Sequence, residues 1–166
     1  MEMLKRMIPT DAYCICGITF HDLYPEESWN FVFGIASLKN RTGLYSFARY
    51  DPAFFGEERE DGHEKKKLLR TVKVMTHEIC HQFGISHCIY YNCLMNGSNH
   101  QEESDRRPSH ECPVCLRKLH FAIGFDISQR YKNLMAWFKK HGYSEEVAWM
   151  EERLKIIGEE DQTPTS

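Results

Sequence analysis

No apolar run in these 166 residues approaches the ~20 needed to cross a bilayer, so neither a transmembrane span nor a membrane partner is expected. The N-terminal stretch "MEMLKRMIPTDAYC" lacks the unbroken apolar segment and small-residue cleavage site of a signal peptide. Basic charge is not in excess either. Lys and Arg number 21 against 24 Asp and Glu, a formal net charge of -3. That removes the electrostatic footprint of a nucleic-acid binder, and "EKKK" at 64–67 reads as a solvated helix start. No internal repeat is present. The seven cysteines are an odd number in a chain without an export signal, which disfavours a disulfide framework and favours metal ligands or free thiols. These absences point to an intracellular protein, cytoplasmic or nuclear, and a monomer is expected.

What is present suits a globular core: 42% of residues are apolar and 13% aromatic. Short apolar and β-branched runs predict strands at 13–20, 29–37 and 44–50, the last two an antiparallel pair joined by a turn at Gly43. A helix is predicted from 64 to 83. Leu68, Val72, Met75, Ile79 and Phe83 form its apolar stripe. At about 100° per residue the stripe lies roughly opposite His77 and His81, giving a core side and a chemical side. Gly84 can take the left-handed conformation that ends it. Residues 85–113 show little apolar periodicity, and so long an irregular segment needs something other than a core to hold it. A helix is expected to restart over 114–121. Helices at 127–140 and 144–157, joined at Gly142, read as a helical hairpin, and 159–166 as a disordered tail.

The chemistry concentrates in "HEICHQFGISHCIYYNCLM", residues 77–95. His77 and His81 are four apart, so on a helix both imidazoles can reach one ion. Gly84 lets the chain turn and bring back His87 as a third ligand. Three protein ligands leave the fourth position open, as in catalytic zinc sites. Glu78 lies about 100° round the helix from His77, beside the metal without being forced onto it. There it can take a proton from a zinc-bound water. A polar helix face with surface histidines is the plainer reading, and the helix, glycine and third histidine together weigh against it. The remaining histidines, 21, 63, 100, 110, 120 and 141, are read as surface or polar-core residues.

A second cluster follows. Cys112-Pro-Val-Cys115 is a tight CxxC turn that aims both sulfurs at one ion. Cys88 and Cys93 are the nearest candidates to complete a four-thiolate structural zinc, which would hold the weakly apolar segment between them. Buried free thiols or a redox CxxC are the alternatives, but the latter expects a βαβ context that is not seen.

The pattern HExxHxxGxxHCx4CxM, followed at a distance by CxxC, resembles the archaemetzincin family of zinc metallopeptidases. The segments "HEICHQFGISHC", "CLM" and "CPVC" carry the likeness, with "DLYPEESWNFVFGIAS" and "GLYSFARY" similar to the family's strands. The resemblance covers about residues 13–125. It implies an α+β, metzincin-like zincin domain over 1–125, its small twisted mixed sheet packed on the HExxH helix, followed by the helical hairpin at 126–158. It implies two zinc ions per chain, a catalytic one on His77, His81 and His87 and a structural one on Cys88, Cys93, Cys112 and Cys115. Glu78 would be the general base and Met95 the methionine packed beneath the site. The strand at 29–37 would be the antiparallel edge lining the cleft. An extended peptide could add to that edge, with aminopeptidase-like cleavage of short peptides. Two departures stand out. Cys80 occupies a position that such helices commonly give to glycine, and is expected to pack as a small side chain close to the zinc. The front of the domain is short, so the strand at 13–20 is expected to present an uncovered edge. Together they keep open a second reading, a catalytically impaired or truncated zinc-stabilised peptide-binding protein.

Overall fold

The computed structural model describes every residue except 27, 29 and 161–166, and leaves out the side chains of 159 and 160. It divides after Ala122 into two compact units. Among the described residues no helix is long and apolar enough to cross a membrane.

The first unit is built on a three-stranded mixed sheet. Strands β1 (Ile15–Thr19), β2 (Gly34–Ser37) and β3 (Thr42–Ser46) lie in the order β1-β3-β2. β3 is central, antiparallel to β2 and parallel to β1. Its Thr42, Tyr45 and Ser46 are buried, as a strand paired on both sides requires. The antiparallel pair matches the expectation, but the turn does not sit on Gly43. Arg41 turns the chain with φ 52°, and Gly43 lies within β3. The reason is close packing: a Cβ at Gly43 would overlap the Tyr45 hydroxyl and the Gln82 side-chain amide. β2 is shorter than the predicted 29–37, since only Gly34–Ser37 pair with β3; residue 29 lies outside the described residues. The predicted third strand also ends early, because Ala48–Tyr50 form a 3-10 turn.

A six-residue helix α1 (Glu2–Met7) packs against β1, with Leu4 close to Gly17. It is too short for helical periodicity to show in sequence. β1 nonetheless remains an outer strand, with Ile18 and Phe20 exposed.

Helix α2 (His63–Gln82) crosses β2 and β3. Its expected two faces need correction. The stripe Leu68, Val72, Met75, Ile79 and Phe83 is only half-buried, whereas Val74, His77 and Cys80, together with Lys73 and Gln82, are the buried positions. The sheet packs on one side, and the cysteine-bearing segment covers the other. Leu94, Met95 and Cys93 are fully buried within that segment, so the chemical side of α2 is also an interior side. The segment is not wholly irregular: α3 (Gln101–Arg106) is tied to α2 by the Arg70–Asp105 ion pair and by Lys73 Nζ donating to the Asp105 carbonyl at 2.9 Å. Helix α4 (Pro113–Ile123) starts on proline, which suits the first helical turn.

In the second unit, α5 (Ile127–Lys140) and α6 (Ser144–Glu160) form the hairpin. Asp126 caps α5 by accepting from the Gln129 N–H at 2.6 Å. Tyr131, Phe138, Tyr143 and Met150 are its buried side chains. α6 runs on to Glu160 rather than stopping at 157, so the predicted tail begins as helix; residues 161–166 lie outside the described residues.

Candidate metal centres

The histidine cluster grows from the end of α2. Gly84, at φ 84°, reverses the chain, and its N–H caps the His81 carbonyl at 3.0 Å. The same turn places the Ile85 carbonyl 2.6 Å from His81 Nδ1. One loop further on, the Leu94 carbonyl lies 2.9 Å from His77 Nδ1. A carbonyl only accepts, so each Nδ1 carries the proton and each Nε2 keeps its lone pair. His77 and His81 then face each other Nε2 to Nε2 at 3.0 Å. Two lone pairs at that distance repel unless a cation lies between them, and His87 completes the set. The ligand atoms of His77, His81 and His87 all fall within 4.8 Å of one another. Burial lowers the pKa of His77 to about 3, and it lowers that of His87 as well. Both rings are therefore neutral and fit to bind a metal.

The cluster opens into a cavity of about 600 Å³ lined by Phe31, Val32, Phe33 and Gly34 from the strand side and by His77, Glu78 and His87. Val32 is bridged to Leu23, and β2 follows as an outer strand. Gly34 lets the strand come close: a Cβ there would stand 3.2 Å from Glu78 Cγ and 2.9 Å from Tyr45 Cδ1. Burial raises the Glu78 carboxyl, against the opposing charges of His81 and Arg107. A carboxylate so placed is a better proton acceptor than one in water.

The four cysteines form a closed cluster. The sulfurs of Cys88, Cys93, Cys112 and Cys115 lie within 4.8 Å of one another and all four residues are buried. Backbone N–H groups point at the sulfurs. Cys93 Sγ accepts from Cys112 at 3.1 Å and from Met95 at 3.4 Å, and Cys112 Sγ from Cys115 at 3.5 Å. Against the cost of burial, N–H groups of Tyr90 and Tyr91 bring the Cys88 thiol down, whereas burial and neighbouring sulfur push Cys93 up to about 11. Four sulfurs crowded out of water, with donors aimed at them, fit a thiolate-bound cation.

One turn serves both clusters. Cys93 gives its sulfur to the second, and the next residue, Leu94, gives its carbonyl to His77. Asn96 ties the turn down, accepting from the Cys93 N–H at 2.9 Å and donating to the Cys88 carbonyl at 2.6 Å. Met95 is fully buried in the same turn, its carbonyl accepting from the Cys88 N–H at 2.8 Å.

The structure thus brings together every predicted member of each set. Cys80 joins neither: buried at 2% exposure, its sulfur lies 3.9 Å from Glu111 Oε1. Sequence reasoning missed Leu94, Asn96 and Arg107. Two act through the backbone or hold it, and Arg107 lies in a charged stretch, "SDRRPS", that reads as surface. Only its 7% exposure singles it out.

Comparison with known proteins agrees with this geometry. The profile of peptidase family M54 matches residues 6–121. Archaemetzincin-2 from Homo sapiens is 46% identical over 159 residues, covering 82% of this chain and 44% of the relative. The protein of the same name from Macaca fascicularis is 48% identical with the same coverage. The chain thus spans less than half the length of the curated relatives it matches. Among solved structures, a zinc-dependent peptidase from Methanocorpusculum labreanum superposes with a TM-score of 0.59 at 30% identity, over 71% of this chain and 68% of that one. Archaemetzincin from Archaeoglobus fulgidus, complexed with malonate, gives 0.54 at 34% identity over 68% and 64%. With the profile spanning most of the first unit and both ligand sets in place, the chain belongs to peptidase family M54, the archaemetzincins.

Proposed function

We propose that this chain is a zinc-dependent peptidase acting as a monomer on short peptides, aminopeptidase-like, with a second, structural zinc on its cysteines. The observation that carries the reading is the convergence of three imidazoles on one point of a cavity wall, with a buried carboxylate beside it. His77, His81 and His87 would hold the catalytic ion; Cys88, Cys93, Cys112 and Cys115 would hold the structural one. A zinc ion on the histidines supplies Lewis acidity and lowers the pKa of water to about 7. Glu78 accepts the proton of the attacking water and returns it to the departing amine. The Leu94 and Ile85 carbonyls keep the His77 and His81 rings in the right tautomer. The backbone of residues 31–34 offers an edge on which an extended peptide can lie. Met95 supports the floor by packing.

The test is hydrolysis of short fluorogenic peptides by the zinc-loaded chain and by its Glu78→Ala form. Turnover that disappears in the variant while zinc content stays the same supports the reading. Equal rates remove it. Peptide binding without turnover in either leaves the zinc-stabilised binder as the function.

A further inference from the structure

The cavity holds one ionised group for which the hydrolytic chemistry has no use. Arg107 lines it together with Val74, Ser98, Asn99 and Ser104, and is the only Lys or Arg among the described lining residues. Its guanidinium is fixed by uncharged acceptors: Nη1 donates to the Asn96 carbonyl and Nη2 to Ser104 Oγ, both at 2.8 Å. Nη1 also lies 3.1 Å from His77 Nδ1, but that nitrogen spends its proton on Leu94 and cannot accept. Nε is buried and has no hydrogen-bond partner. Three other arginines show what this edge does elsewhere in the molecule. Arg49, Arg59 and Arg70 each turn Nε and Nη2 onto a carboxylate, those of Asp22, Asp51 and Asp105. On Arg107 that edge carries no carboxylate: Nη2 spends one of its two N–H groups on Ser104 and Nε is buried without a partner, and Glu78, the acid of the same cavity, makes no hydrogen bond to the guanidinium among the described contacts. A buried guanidinium is costly unless paired, and the fork geometry matches a carboxylate.

We infer that Arg107 is a specificity residue, and that the cleft selects peptides presenting a carboxylate to it, from an acidic side chain or from the peptide's own C-terminus. The inference rests on the peptide-cleft reading above. It adds that the wall around residues 98–107 chooses the substrate, while the 31–34 edge only aligns it.

Calorimetric binding to the zinc-loaded Glu78→Ala chain tests this without relying on turnover. The probes are hexapeptides in which a single Asp or Asn is walked along the sequence, each with a free or amidated C-terminus. The expected result is about tenfold tighter binding of the acid over its neutral twin at one position, the strength of a charge-assisted fork. A preference set by Asp position identifies a side chain, and one set by amidation identifies the terminus. Arg107→Gln should level the pair, and Arg107→Lys should keep only part of the preference. A merely structural role would weaken both twins equally and leave their ratio untouched. Equal binding of the twins before any change at Arg107 overturns the inference while sparing the peptide reading. A preference that survives Arg107→Gln also overturns it, since the metal would then hold the carboxylate. If no peptide binds, both readings fall.

Discussion

His87 and Cys88 are neighbours in the chain, yet they belong to two clusters that treat water in opposite ways. The histidine set grades from buried His77 to exposed His87 and faces a cavity; the cysteine set is buried at all four positions. The difference follows from ligand number and supply. Three imidazoles from one helix and its following turn leave one side of the ion open. Four thiols, from the loop after α2, the residue before α4 and the first turn of α4, would close round one. The open cluster can do chemistry, and the closed one can hold a weakly apolar segment against the other side of α2. They are not independent, because Cys93 and Leu94 put one ligand sulfur and one orienting carbonyl on adjacent residues. The closed site therefore sets the ring of His77.

Breaking the closed site should have the largest effect. Structural zinc in small motifs contributes about 10–16 kcal/mol of folding free energy, so Cys112→Ser should cost the fold itself. The expected outcome is insoluble protein, or soluble protein that has lost both metals; metal analysis of the soluble fraction checks it. A Cys112→Ser chain that kept its histidine metal would sever the proposed link between the clusters. Glu78→Ala should break only the open site. Turnover should fall by about 10²–10⁴, with metal content and melting temperature unchanged.

Acid should separate the two sites next. Burial holds His77 at about 3, below its ordinary 6.5. The unfolded chain therefore takes up a proton first as pH falls. The stability that neutral His77 contributes is whole above about pH 6.5 and is lost as pH falls through about 3. Denaturant unfolding of the chain emptied at its histidine site but keeping its cysteine-bound zinc should show stability declining from pH 7 toward pH 4, and a His77→Phe variant should flatten that decline. Gly34→Ala is expected to be milder. Its Cβ meets Glu78 and the Tyr45 ring, so it should cost about 1–3 kcal/mol of stability and depress turnover with both metals retained. Cys80→Gly should be smallest. Cys80 packs near Glu111 and a glycine within a helix costs about 1 kcal/mol, so thermal melting should fall slightly while metal content holds.

The histidine set was legible because its geometry is local: a four-residue spacing on one helix, then a glycine able to turn the chain. The cysteine set was legible as a count of soft ligands at short spacing, though not as the second wall of α2. That is why the two faces of α2 were misjudged. An apolar stripe marks where aliphatic side chains pack, but the layer over His77 is held by sulfur and main-chain contacts, which leave no 3.6-residue pattern. Gly43 was misplaced for a similar reason. Its bareness answers Tyr45 and Gln82, close to it only once β3 and α2 meet. Arg107 left no sequence signal, because a buried guanidinium and a surface one are spelled alike.

The most direct test of two coupled but unlike sites is metal stoichiometry under chelator challenge. Purified protein should carry zinc at both ligand groups. The chelator should strip the open histidine site first, abolishing any turnover while the fold persists, and the cysteine-bound zinc should leave only as the protein unfolds. A single zinc per chain, or loss of both in one step with the fold intact, would contradict the account.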